Sequence, residues 1–177
     1  AALGVVYGAS GSGKSFLVLD MGMAIARGVE WRGRKVKQGR VAYIAAEGAD
    51  GFRKRLAAYA MHNQVDLSTV PMTVLNAAPN LMEKQDAADV VKGIRASGGA
   101  DLIIVDTFAQ TTPGANENAA EDVGKALGYC KRIHEATGAM VLLIHHAGKD
   151  ATKGARGWSG LRAAADAEIE VVREATG

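Results

Sequence analysis

The sequence is short of several residue types, and each shortage excludes a class of protein. One cysteine among 177 residues rules out an internal disulfide, so a reducing cytoplasm is the expected compartment. No apolar stretch approaches the roughly 20 residues of a membrane-spanning helix, and no signal peptide is visible. The net charge of +2 is too small to indicate nucleic-acid binding from the protein's overall field, so any such site must be local.

What is present fits one folded domain. The chain is 48% hydrophobic and 23% charged, which is typical of a globular protein rather than a disordered one. Its length suffices for one full core. We therefore interpret residues 1–177 as a single domain. Because the predicted strands reach both ends of the chain, we expect it to be a piece of a longer protein.

Predicted strands and helices alternate along the chain. Apolar runs predict strands, helical spacing of apolar residues predicts the segments between them, and residues 167–173 alternate like an edge strand. Nearly continuous apolar strands indicate a mainly parallel sheet with helices on both faces, an α/β fold. The other predicted strands are 3–7, 40–46, 72–76, 100–106 and 139–145, and the predicted helices are 16–27, 49–62, 84–97, 117–137 and 159–165.

A glycine-rich loop follows the first predicted strand and precedes the first helix. Its sequence, "GASGSGKS", fits the phosphate-loop pattern G-x-x-x-x-G-K-[ST] at every fixed position. Glycines let the backbone curl around an anion, Lys14 can reach the β- and γ-phosphates of ATP, and the Ser15 hydroxyl can bind Mg²⁺. The predicted nucleotide-binding residues are Gly8, Ala9, Ser10, Gly11, Ser12, Gly13, Lys14, Ser15 and Phe16.

Carboxylates end two of the predicted strands. Glu47 follows the second strand, where it can polarise a water for attack on the γ-phosphate; it can equally be a solvated residue or a helix cap. Asp106 closes "LIIVD", the form of a carboxylate that holds Mg²⁺ through water, with a turn residue as the alternative. Ligands bind at the carboxyl ends of parallel strands, where both residues lie.

Two adjacent histidines, His145 and His146, end the next strand. Strand geometry sends them to opposite faces, so one of them could hydrogen-bond the γ-phosphate and report its loss. A structural role is the alternative reading for each.

A basic, glycine-rich stretch follows the histidines. It carries Lys149, Lys153, Arg156 and Arg162. Such a stretch can contact a nucleic-acid backbone or supply an arginine finger to a neighbouring subunit, and a solvated loop is the alternative.

Taken together, these motifs resemble the RepA-like branch of the RecA superfamily, the plasmid- and phage-type replicative helicases and related ATPases. The resemblance covers nearly the whole chain and rests on motifs in the same order: "GASGSGKS", "VAYIAAEG", "LIIVDTFAQ", "LLIHHAGKD" and "KGARGWSGLRAAADAEIEV". It implies a RecA-like phosphate-loop NTPase fold and ATP bound between the subunits of a ring, often a hexamer.

The resemblance also implies roles for individual residues. Glu47 matches the catalytic glutamate, Asp106 the magnesium aspartate, His145 or His146 the phosphate sensor, and Arg156 a recurring arginine. The function it implies is an ATPase motor of a DNA helicase, with ATP and Mg²⁺ as ligands and single-stranded DNA as partner. Two alternatives remain: a recombinase-like or accessory ATPase that does not unwind DNA, and a nucleotide-gated regulatory module with negligible turnover.

Overall fold

Strands and helices alternate along the chain as predicted. The structure, a computed structural model, describes residues 1–116, 119–146, 160–161 and 163–174. The strands are β1 (Leu3–Gly8), β2 (Val41–Ala45), β3 (Met72–Leu75), β4 (Leu102–Asp106), β5 (Met140–His146) and β6 (Ala167–Glu170). The longer helices are α1 (Lys14–Arg27), α2 (Ala49–Asn63), α3 (Lys84–Ala96) and α4 (Ala120–Thr137).

The strands form one sheet, in the order β3-β2-β4-β5-β1-β6, and every neighbouring pair is parallel. This confirms the predicted parallel sheet and the position of β6 at an edge. The register aligns the strand ends, with Gly8 opposite His146 and Asp106 opposite both Ala45 and Ile144. The carboxyl ends of β1, β2, β4 and β5 therefore lie together.

Alternate residues of β1, β2, β4 and β5 enter two cores on opposite faces of the sheet, because successive side chains of a strand point to opposite sides. One core packs against α3 and α4, the other against α1 and α2. In β4, Ile103 faces the first core and Ile104 the second. The fold is thus the α/β sheet with helices on both faces that the sequence predicts. Cys130 of α4, 1% exposed, is part of the first core.

The observed boundaries differ from the predicted ones where functional residues lie. Helix α1 begins at Lys14, so Lys14 and Ser15 belong to its first turn. Strand β5 runs one residue further than predicted and includes His146. Helix α4 begins at Ala120 rather than at 117. Its N-cap residue is Ala119, which makes no side-chain capping bond.

Candidate active site

The glycine-rich loop joins β1 to α1 and depends on glycine at particular positions. Gly11 and Gly13 have φ of 75° and 93°, in the left-handed region that disfavours other residues. A Cβ atom on Gly8 would lie 2.2 Å from the carbonyl oxygen of Val171. The Ser12 hydroxyl is buried without a hydrogen-bond partner among the described residues. No described side chain caps α1, whose first amides are suited to an anion.

Lys14 is a buried cation held by backbone carbonyls. Its side chain is 4% exposed, and Nζ donates hydrogen bonds to the carbonyl oxygens of Gly8 (3.0 Å) and Ala9 (2.7 Å). It forms no ion pair within the part of the chain that the structure describes. Burial lowers the pKa of the ammonium, and the carboxylates of Asp106 and Glu47 only partly oppose this. A phosphate would supply the missing counter-anion, so the site fits a nucleotide's phosphates.

Asp106 is held from two sides at the end of β4. The Ser15 hydroxyl donates to one carboxylate oxygen, Oδ1, at 3.1 Å, and the Tyr43 hydroxyl donates to the other, Oδ2, at 2.6 Å. Asp106 is 3% exposed and Tyr43 is fully buried. Burial, with the Asp106 carboxylate beside it, raises the pKa of Tyr43, so its hydroxyl remains a donor.

The Ser15 and Asp106 oxygens fit a magnesium ion. Mg²⁺ prefers oxygen ligands and takes one or two from the protein, with the rest from water and substrate phosphates. The neighbouring Thr107 hydroxyl is buried and has no hydrogen-bond partner in the described part of the chain. A hydroxyl and a carboxylate next to a buried lysine form the donor set that a magnesium-bound phosphate requires.

Glu47 is positioned by the end of β4. The backbone amides of Ala46 and Glu47 both donate to the Asp106 carbonyl oxygen, at 2.8 and 3.0 Å. The Glu47 side chain is 52% exposed, and its Oε2 lies 3.5 Å from Nε2 of His146. The carboxylate of Glu47 therefore reaches solvent, while its backbone is fixed against the end of β4 at Asp106.

The two histidines lie on opposite faces of the sheet, as predicted. His145 is 7% exposed and meets Phe108 edge-on, with 6.3 Å between ring centroids. His146 lies on the face of Glu47 and of α1, opposite Gly8 in the register. His146, rather than His145, therefore lies beside Glu47 and the phosphate loop.

The sequence also predicts four basic residues for DNA contact or for an arginine finger. Lys149, Lys153, Arg156 and Arg162 lie outside the described residues.

Two further residues lie at this site without having been predicted from the sequence. Tyr43 is the aromatic residue in the aliphatic strand "VAYIA", and the alternation of β2 puts it on the face that Asp106 shares. The alternation of β2 could therefore have indicated that Tyr43 lies on the same face as Asp106. Arg55 of α2 places its guanidinium 5.6 Å from the ring centroid of Phe16, a contact that no local pattern indicates.

A parallel sheet whose first strand leads through a glycine-rich phosphate loop into a helix, with an aspartate ending a central strand, defines the phosphate-loop class of ATPases. In agreement, residues 1–152 match the family described as AAA domain. The chain belongs to this family and is a phosphate-loop ATPase domain. No helix in the described ranges is long and apolar enough to cross a membrane.

Proposed function

We propose that this domain is the ATP-hydrolysing motor of a RepA-like DNA helicase, which couples hydrolysis of Mg-ATP to movement on single-stranded DNA. The observation that carries the hydrolytic part is the convergence of Lys14, Ser15, Asp106 and Glu47 at one edge of the sheet. The DNA-coupled part is supported by the order of motifs that resemble this branch.

The binding residues follow from the contacts. Lys14, buried without an ion pair in the described chain, would neutralise the β- and γ-phosphates. Ser15 and Asp106 would hold Mg²⁺, with Asp106 kept in place by Tyr43. Bound Mg²⁺ supplies charge neutralisation at the phosphate oxygens.

Glu47 is the candidate general base. Its exposed carboxylate can accept a proton from the water that attacks the γ-phosphorus, while the bond from that phosphorus to the departing ADP oxygen breaks. His146 contacts this carboxylate and lies opposite Gly8 of the phosphate loop. His146 also precedes the basic stretch in the sequence, so it can relay the state of the γ-phosphate to that stretch.

The proposed partners rest on the charge of the basic stretch and on the resemblance. Three basic residues of the glycine-rich stretch, Lys149, Lys153 and Arg162, suit contact with a DNA backbone. Arg156 would act as a finger towards the ATP of a neighbouring subunit in a ring, which the resemblance suggests is a hexamer.

The test is ATP hydrolysis with and without single-stranded DNA, at low and moderate salt and at several protein concentrations. A DNA-coupled, assembled motor gives turnover that rises with DNA and with protein concentration, and strand displacement is the next assay. Binding of ATP with flat, negligible turnover would contradict the motor and favour a regulatory module. Turnover that DNA does not change would favour an ATPase that does not act on DNA.

Arg156→Ala separates the two roles of the basic stretch. A finger predicts low turnover that mixing with another site-defective variant partly restores, because the arginine then comes from a neighbouring subunit. A DNA contact predicts weaker DNA binding with unchanged basal turnover. Arg53→Ala, which removes an exposed charge of α2, is the matched control.

A further inference from the structure

The excess positive charge of this chain is concentrated in the loop that joins α1 to β2, residues 28–40. This α1–β2 loop carries one acidic and five basic residues, a net charge of +4, whereas the whole chain carries +2 and the remaining residues together carry −2. A concentrated surface charge can attract a polyanion even where the net charge of the protein is small. All five basic residues are exposed: Arg32, Arg34, Lys35, Lys37 and Arg40.

The tip of the α1–β2 loop is a fixed turn. Trp31 and Arg34 exchange two backbone hydrogen bonds, of 3.0 and 2.9 Å. The two residues between them, Arg32 and Gly33, have φ of 49° and 75°, as a tight two-residue turn requires. The Trp31 indole donates to Oδ2 of Asp20 on α1 at 2.8 Å, and Cζ of Arg32 lies 5.5 Å from the centroid of the Trp31 ring. Because these contacts already order the backbone, binding of a ligand to the turn costs little further ordering.

Three cations beside this turn are left for a ligand. The side chains of Arg34, Lys35 and Lys37 form no hydrogen bond or ion pair with the residues that the structure describes. The other two basic residues of the loop are engaged, one with the Trp31 ring and the other with a backbone carbonyl oxygen. Adjacent cations repel one another, and a row of phosphate groups relieves that repulsion.

We propose that Arg34, Lys35 and Lys37 form a docking surface for the phosphate backbone of duplex DNA. A duplex suits this surface better than a single strand, because sites for single strands combine cations with aromatic rings on which bases stack. Trp31 is the one aromatic residue in the sequence of the loop, but an arginine lies over its ring and its indole group is bonded to Asp20. Contacts to phosphates alone position a protein on a duplex without reading its sequence.

This surface goes beyond the proposed function, which assigns single-stranded DNA to the basic stretch after His146. The α1–β2 loop enters β2 at the amino edge of the sheet, whereas the phosphate loop and His146 lie at the carboxyl edge. Docking of a duplex on the α1–β2 loop therefore requires neither bound nucleotide nor hydrolysis. The two surfaces together would let the domain hold a duplex while a single strand is bound elsewhere.

The experiment measures the binding of a fluorescently labelled duplex of about 20 base pairs by anisotropy, without nucleotide, at several salt concentrations between about 50 and 200 mM. The loop variant Arg34→Gln/Lys35→Gln/Lys37→Gln removes the three cations. We expect the slope of log affinity against log salt to become shallower by about 2–3, because each phosphate contact contributes about 0.9 to it. Affinity at the lowest salt should fall by about tenfold or more.

The matched control removes the same charge from three exposed lysines on α2, α3 and α4, in the variant Lys54→Gln/Lys92→Gln/Lys131→Gln. The control should keep the wild-type slope and bind the duplex within about threefold of wild type. Both variants should keep the wild-type Tm, because all six side chains are exposed.

Four results would overturn the docking surface: a wild type that does not bind the duplex, a loop variant with an unchanged slope, an equal loss in the control, or a loop variant that loses single-stranded DNA while keeping the duplex. ATP turnover without DNA should be the same in wild type and both variants. A failure of the proposed motor would appear as absent turnover in the wild type, which leaves the duplex measurement unaffected.

Discussion

Removing one hydroxyl group, by Tyr43→Phe, tests whether Asp106 is held as the structure indicates. The Tyr43 hydroxyl donates a 2.6 Å hydrogen bond to Oδ2 of Asp106, and both residues are buried. The ring packs against Phe52, with 4.4 Å between centroids, and phenylalanine retains this contact. The substitution therefore removes the hydrogen bond and little else.

The expected loss of stability follows from the kind of hydrogen bond that is removed. A hydrogen bond to a charged group contributes about 1.5–3 kcal/mol, and a buried carboxylate oxygen left without its donor bears the cost of its desolvation. We expect the free energy of unfolding to fall by about 2 kcal/mol, which lowers Tm by about 4–8 °C in a domain of this size. Asp106 also becomes free to turn away from Ser15, so Mg²⁺-dependent nucleotide binding should weaken as well.

Urea and thermal unfolding of the unliganded protein measure the first effect, and nucleotide titration at several Mg²⁺ concentrations measures the second. Tyr129→Phe is the matched control, because Tyr129 is partly buried on α4 and its hydroxyl has no hydrogen bond to the described residues. A Tyr43→Phe protein as stable as wild type, with unchanged magnesium dependence, would refute the reasoning that Tyr43 positions Asp106.

Three other predictions follow from burial and close contact. Gly8→Ala should destabilise the fold by about 3 kcal/mol or more in urea unfolding, because its Cβ would lie 2.2 Å from the Val171 carbonyl oxygen; Gly128→Ala, in open space on α4, should be neutral or stabilising. Lys14→Met should abolish tripolyphosphate binding. Burial lowers the pKa of Lys14 in the folded state, so the unfolded chain binds more protons and wild-type stability should rise with pH between the lowered pKa and the ordinary lysine value. Lys14→Met should lack this rise. A rise that persists in the variant would mean that another titrating group causes it. Burial raises the pKa of Cys130 to about 12, so iodoacetamide should leave it unmodified at pH 8 until the protein unfolds, and rapid native alkylation would contradict its core position.

Local patterns were sufficient for the fold and for the phosphate loop. The runs "LIIVD" and "VLLIH" predict buried parallel strands because they are short, nearly continuous in apolar residues and contain β-branched residues. The loop is recognisable because its glycines and lysine occupy fixed positions next to each other in sequence.

Contacts across the sheet were not predictable in the same way. The bond between Tyr43 and Asp106 depends on the register between β2 and β4, which the sequence of neither strand contains. The contact between Phe16 and Arg55 depends on how α1 and α2 pack. Strand alternation predicts that the two histidines face opposite sides of the sheet, but not which of them faces Glu47. The structure shows that His146, the last residue of β5, is the one beside Glu47.

Glu47→Gln tests the central claim, that this edge of the sheet hydrolyses ATP, most directly. Phosphate release and ATP affinity would be measured on the same preparations of wild type and variant. We expect the variant to bind Mg-ATP within about threefold of wild type, because the amide keeps the size of the side chain. We expect it to lose about 100-fold or more of the turnover, which is the contribution of a general base. Equal turnover in the two proteins would contradict the assignment of Glu47 and the mechanism built on it.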